Sequence, residues 1–409
     1  MSNRRQSGSV RLRRTLLRRG WGLGLLLACS LGIARGSAVA QGPPPAPAPT
    51  HERVAVLADG GQQTVEGRIV VEAADGGMLL ESADERYHVL QPASIVSRER
   101  IAGAVAAESP RDLGRRLIAE LPAGFDVHLT KHYVICFDTT RDYAKWCGSL
   151  FERLYDTFGN FWRQAGFELE DPAQPLVVVI FSDRREYEAL AIRDVGSAAD
   201  RISGYYNLMS NRVASYDLTG TAGLPRARGA TAGRLANEIL ARPEAAGLVS
   251  TLIHEATHQM AFNCGMHRRL APIPVWVSEG IATVFEAPDL RTSSGWRGIG
   301  TVNRPRLDRF RDSFRPGDLE PLMLDDDRFR KADTSVDAYA GAWALTWFLM
   351  ETRKQQFVRY LQSLSTKLPL SADSREQRLR DFTAAFGETP AEIEERLLRH
   401  MARFERRRP

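Results

Sequence analysis

Histidine and cysteine are both scarce here: eight and four in a chain of 409 residues. So few cysteines exclude a disulfide-stapled scaffold. A charge excess is also missing from the body of the chain. The formal charge is +5, but residues 1–40 carry eight arginines and no acid, so their removal leaves −3. The basic character belongs to that segment, and a nucleic-acid-binding surface loses its main support. No apolar run reaches the roughly 20 residues that a spanning helix needs, which excludes a transmembrane helix in the body of the chain. There is no internal repeat.

The N-terminus has the layout of an export signal. Arg4, Arg5, Arg11, Arg13, Arg14, Arg18 and Arg19 precede the apolar run WGLGLLLACSLGIA, and Ala38-Val39-Ala40 has the small-x-small form of a cleavage site. At about 14 residues the run is short for an anchor. Residues 1–40 are therefore expected to be a signal peptide, giving a periplasmic or secreted protein. Two other patterns lie in the same segment. RRTLL resembles the twin-arginine signal, and Leu26-Leu27-Ala28-Cys29 resembles a lipoprotein cleavage box, in which Cys29 would carry a lipid anchor. Cys136, Cys147 and Cys264 remain after cleavage at Ala40. Cys136 and Cys147 are candidates to pair across a strand-to-helix turn, and the odd number leaves one thiol unpaired within the chain.

Residues 41–52 read as a Pro/Ala-rich tether with no means of forming a core. Residues 53–100 alternate apolar and polar residues around the turn Asp75-Gly76-Gly77, which predicts a small β module of three or four antiparallel strands that leans on its neighbour. A larger unit is expected over 110–405. There HYVICFDT reads as a strand, Cys147, Leu150, Phe151, Leu154, Phe158 and Phe161 have helical spacing, and PLVVVIFSD reads as a buried strand. GYYNLMSNRVASYD, 204–217, reads as one further strand, and the pattern is mostly helical from about residue 231. Thr389-Pro390-Ala391-Glu392 is a capping box that starts a last helix. The fold class is α+β.

The chemistry sits in TLIHEATHQM. A chance His-Glu-x-x-His is expected in on the order of one chain in a hundred of this composition. LVSTLIHEATHQMAFN has no Pro or Gly and predicts a helix. His254 and His258, one turn apart, then lie roughly 6 Å from each other on one face, close enough for both imidazoles to reach one ion. Glu255 points to a neighbouring part of that face, where it can hold a water. The bland alternative is a buried helix with two hydrogen-bonded histidines. A catalytic ion needs a third ligand, and three residues compete: Cys264, six positions past His258; His267, in the polar turn GMHRR; and Glu279, in VWVSEGIATVFE, which reads as a second helix.

HEATHQ followed by WVSEGIATVFE resembles the gluzincin branch of zinc peptidases, and most closely the bacterial peptidase-MA-like domains; the motif-bearing part covers about residues 248–290. The resemblance implies a zincin-like α+β domain with a mixed sheet, active-site helices and a helical C-terminal part. It implies His254, His258 and Glu279 as ligands of one Zn2+ and Glu255 as general base. The separation of 21 residues between His258 and Glu279 exceeds that of the best-known aminopeptidases of the branch. Their Gly-x-Met-Glu-Asn motif is absent too, so aminopeptidase specificity is not implied. Thr283, one turn after Glu279, is a candidate to orient a ligand, or else a buried helix threonine. Tyr339 resembles the tyrosine that opens a late helix in these domains and is a candidate oxyanion donor, or else a packing residue.

These readings add up to an exported zinc metallopeptidase acting on a peptide or protein substrate, in which Glu255 takes the proton of a water. The rivals are a non-catalytic binding module of the cell envelope and an amidase acting on an envelope polymer.

Overall fold

The computed structural model describes residues 51–404, apart from 59–60, 102–107, 197–198, 200–201, 218, 220–245 and 288–301. The expected signal peptide, its cleavage site, Cys29 and the tether up to residue 50 lie outside the described residues. The described part is α+β, with two five-stranded sheets and eleven α-helices. None of these helices is long and apolar enough to cross a membrane.

The first sheet has five strands instead of three or four: β1 (His51–Ala58), β2 (Gly61–Glu72), β3 (Met78–Glu81), β4 (Tyr87–Leu90) and β5 (Ile95–Ile101), all antiparallel in the order β4-β3-β2-β1-β5. His51 and Glu52 belong to β1 and not to the tether. The strand β5 is hidden in sequence because its middle, Val-Ser-Arg-Glu-Arg, is exposed on both faces. The sheet's own core is small: Val54, Val56, Met78, Leu80 and Leu90. As expected of so small a core, it leans on the rest of the chain. Tyr87 N donates to Met209 O at 2.7 Å, Arg269 Nη2 meets Glu81 Oε1 at 2.7 Å, and the Arg269 guanidinium lies 3.9 Å from the centre of the Tyr87 ring.

The second sheet is mixed, in the order β6-β7-β8-β10-β9: β6 (Asp126–Leu129), β7 (Tyr133–Phe137), β8 (Leu176–Phe181), β10 (Arg212–Tyr216) and β9 (Gly204–Asn207). β7, β8 and β10 run parallel, and each edge strand is antiparallel to its neighbour. The stretch 204–217 is thus a hairpin and not one strand. Its turn carries the apolar Leu208 and Met209, which extend the alternation through the bend, and Asn211 leaves it with φ 58°.

Alternation along the central strands decides what covers each face. Val134, Cys136, Val177 and Val179 pack under α1 (Pro110–Ala119) and α3 (Arg184–Val195). Tyr133, Ile135, Val178 and Ile180 pack under α2 (Arg141–Ala165) and α4 (Ala246–Asn263). Cys136 and Cys147 therefore sit on opposite faces, and both are free thiols, as is Cys264. The pairing considered from their spacing is not made, because β7 turns Cys136 away from α2. The expected stripe on α2 is buried from Cys147 to Phe158, with Phe161 partly so. Thr140 caps its first turn by accepting from Tyr143 N, and Gly166 ends it at φ 90°.

Among the described residues seven further helices follow: α5 (Val275–Phe285), α6 (Arg304–Ser313), α7 (Leu319–Leu324), α8 (Ser335–Thr352), α9 (Lys354–Ser365), α10 (Arg375–Phe386) and α11 (Pro390–Met401). The Thr389/Glu392 capping box starts α11 as expected. Gly280 explains how closely α5 and α8 approach. A Cβ there would stand 2.0 Å from Thr346 Oγ1 and 2.9 Å from Ala342 O. Gly280→Ala should therefore destabilise the protein by about 1–3 kcal/mol through overpacking, measured by denaturant unfolding. Adding Thr346→Ala should recover only part of the loss, since the carbonyl contact stays.

Candidate metal centre

Two buried helices make the site. α4 lays Val249, Leu252, Ile253, Ala256 and Met260 into the core, and its Gln259 Nε2 donates to Val177 O at 2.9 Å and Asn211 O at 3.1 Å. These bonds fix the helix on the sheet, with His254 and His258 on another face. α5 begins after Pro274 and is buried throughout. Its Trp276 stacks on Tyr360 at 6.0 Å between ring centroids and meets Phe382 edge-on at 6.3 Å, so the tryptophan of the WVSEG stretch serves packing. Three residues on, Glu279 turns back toward α4.

His254, His258 and Glu279 converge. His254 Nε2 lies 3.0 Å from Glu279 Oε2 and 3.1 Å from His258 Nε2, and His258 Nε2 lies 3.3 Å from Glu279 Oε2. A tetrahedral ion bonded at about 2.0–2.2 Å holds its donor atoms about 3.3–3.5 Å apart, so the triangle is close to the size required. The chemistry of the set fits as well. Glu286 Oε2 accepts from His254 Nδ1 at 3.0 Å, which leaves the Nε2 lone pair of the neutral ring facing a carboxylate and a second imidazole. Three acceptors aimed at one point need a cation between them. The group is able to hold a metal ion. Exposures of 9%, 8% and 5% for His254, His258 and Glu279 keep the group almost wholly out of solvent.

Electrostatics agree with a cation at this point. Burial disfavours a charged His254, yet hydrogen bonds to Glu279 and Glu286 raise its pKa. Burial acts to raise Glu279, but the imidazoles of His258 and His254 hold it well below the usual carboxylate range. Without metal a proton supplies the missing positive charge; an ion must displace it, so binding releases protons.

Glu255 is half-buried beside the group and outside it. Its Oε2 accepts from Tyr206 N at 2.8 Å, a contact between α4 and the edge strand β9. Burial raises its pKa, opposed by His254 and His258. Tyr339 is brought to the same place: its ring centroid is 6.0 Å from that of His254, and the Arg306 guanidinium lies 5.4 Å from its ring centre. Burial, then the charges of Glu279 and Glu255, push its phenol well above the ordinary value, so its hydroxyl remains a donor.

The other candidates are elsewhere. Thr283 is fully buried one turn after Glu279. Its hydroxyl donates back to the carbonyls of Glu279 at 2.8 Å and Gly280 at 2.9 Å, as a buried helix threonine does. Cys264, at the end of α4, is buried in the core and outside the donor group. His267 is also buried and outside it; burial drives its pKa down to about 3, and Nδ1 meets Met266 O at 3.0 Å.

Sequence reasoning missed Glu286. Beyond His254, it accepts from Arg306 Nε at 2.8 Å and Asn303 Nδ2 at 3.1 Å, and its backbone carbonyl takes the Ser250 hydroxyl. The available signal was its position seven residues past Glu279, two helical turns on, at the cap that follows α5. Glu286→Ala is expected to weaken metal affinity about 10–100-fold, read by competition with a chromophoric chelator. Glu286→Gln, which can still accept from Nδ1, should lose less; an alanine variant of unchanged affinity would mean that Glu286 does not position His254.

No curated protein matches this chain. Residues 248–371, which contain the whole His254/His258/Glu279 group together with Glu255, Glu286 and Tyr339, match a family described as a protein of unknown function, DUF1570.

Proposed function

We propose that this chain is an exported zinc metallopeptidase. The observation that carries the reading is the convergence of His254, His258 and Glu279 with a further carboxylate, Glu255, beside the donor set and not part of it. A structural ion prefers four protein ligands and has no use for such a carboxylate; three ligands leave a position for water. Two imidazoles and one carboxylate suit zinc, and the resemblance of HEATHQ and WVSEGIATVFE to the gluzincins assigns the same residues the same roles.

Bound zinc supplies Lewis acidity, lowering the pKa of a water toward about 7 and polarising a carbonyl. Glu255 keeps one oxygen on the Tyr206 N–H, which leaves the other to take the water's proton and pass it to the leaving amine. Burial makes Glu255 a stronger base than an exposed carboxylate. The Tyr339 hydroxyl donates to the oxyanion that develops at the attacked carbonyl.

Export rests on the arginine-rich leader, its short apolar run and Ala38-Val39-Ala40. Incubating the purified protein with a mixed peptide library tests the activity. Expected are cleavages that vanish with chelator and return with added zinc; a library left intact by the zinc-loaded protein would overturn the peptidase reading.

A further inference from the structure

We infer that the N-terminal sheet is a positioning part of the Glu255 site, acting from Glu85 through Asn211 and Tyr206. The inference rests on the hydrolase reading, since it takes Glu255 as the base.

Tyr87 N to Met209 O and the Arg212–Asp84 pair tie the first sheet to the outside of the β9–β10 hairpin; the link that reaches Tyr206 is the buried amide of Asn211. Asn211 closes the β9–β10 turn at φ 58°, a left-handed conformation that Asn tolerates better than most residues. Its side chain is fully engaged. Nδ2 donates to Glu85 Oε2 at 2.6 Å and to Asn263 Oδ1 at 2.7 Å, while Oδ1 accepts from the Tyr206 hydroxyl at 2.6 Å and from Asn263 Nδ2 at 2.8 Å. The Asn211 carbonyl accepts from Gln259 of α4. One residue thus joins the first sheet, the metal-binding helix and the edge strand. The Tyr206 amide, on that strand, holds the Glu255 carboxylate.

Two features argue for positioning over plain packing. β9 is four residues long and pairs with β10 on one side alone, so its place against α4 is set by these bonds together with the stacking of Tyr206 on Phe262, 5.8 Å between ring centroids. Glu85 is also an expensive choice for a docking contact. Burial pushes its carboxyl up to about 7; Arg269 opposes the shift, and Glu81 and Asp84 add to it. A neutral residue would dock the sheet at less cost. In its ionised form Glu85 supplies a charge-assisted acceptor for Asn211.

The test uses the full-length, zinc-loaded protein and hydrogen–deuterium exchange of residues 204–216, with α2 as internal reference. Glu85→Ala should speed exchange in β9 about tenfold or more, leave α2 unchanged and keep zinc stoichiometric. On a cleaved peptide it should lower kcat about ten- to hundredfold with KM nearly unchanged. Glu85→Gln, whose neutral carbonyl can accept from Asn211 without the charge, should recover part of both readouts. Asn211→Gly keeps the left-handed backbone and should repeat the alanine result, which covers the case of an alanine variant that fails to fold. Unchanged exchange in β9 in both variants, or equal acceleration in α2, overturns the inference. A wild-type protein that cleaves nothing sinks the hydrolase reading instead, and the exchange comparison still decides whether the sheet holds β9.

Discussion

Glu255→Gln should leave zinc bound and remove nearly all turnover. The proposed ligand set contains neither Glu255 nor any side chain hydrogen-bonded to it, so metal content should stay at the wild-type level. The amide oxygen of Gln can accept from Tyr206 N as the carboxylate does, and the shape of the site is kept. What is lost is the basic oxygen. A positioned general base contributes about 10²–10⁴-fold, and that is the expected fall in kcat, with KM little altered. Metal analysis and steady-state kinetics on the same preparation separate the two effects. Wild-type hydrolysis by the variant would show that Glu255 is not the base.

The second large effect concerns Glu279 as the proposed third ligand. Glu279→Ala should deplete zinc or weaken its binding severely, whereas Cys264→Ser should leave it near stoichiometric. Glu279 Oε2 completes a triangle with the two Nε2 atoms at 3.0 and 3.3 Å, and nothing else in the donor group replaces it. Two histidines alone are an incomplete site. Cys264 sits past the end of α4, in the core, where its backbone carbonyl takes the amide of Glu170 at 3.0 Å. Metal content after dialysis of both variants distinguishes the residues. Loss of zinc in the serine variant with retention in the alanine variant would reverse the assignment.

The parts of this site that were legible in sequence are those encoded by local period or by a short motif. The spacing of His254, Glu255 and His258 fixes their relation as soon as a helix is assumed, and the α2 stripe follows the same logic. Glu279 is less local: helix spacing left it level with Cys264 and His267, and resemblance singled it out. What remained hidden depends on tertiary contact. Glu286 acts on a histidine 32 positions away and is itself held by Asn303 and Arg306. The Tyr206 amide is invisible because its role is carried by backbone. Errors had local causes too. Apolar turn residues merged β9 and β10, and the charges of β5 masked a strand.

X-ray absorption at the zinc edge of the purified protein tests the proposed centre most directly. A single zinc per chain, with two imidazole nitrogens and carboxylate or water oxygens at about 2.0–2.2 Å and no sulfur, is the expected spectrum. A sulfur shell near about 2.3 Å, or a protein that takes up no zinc while His254, His258 and Glu279 are intact, would contradict the centre described here.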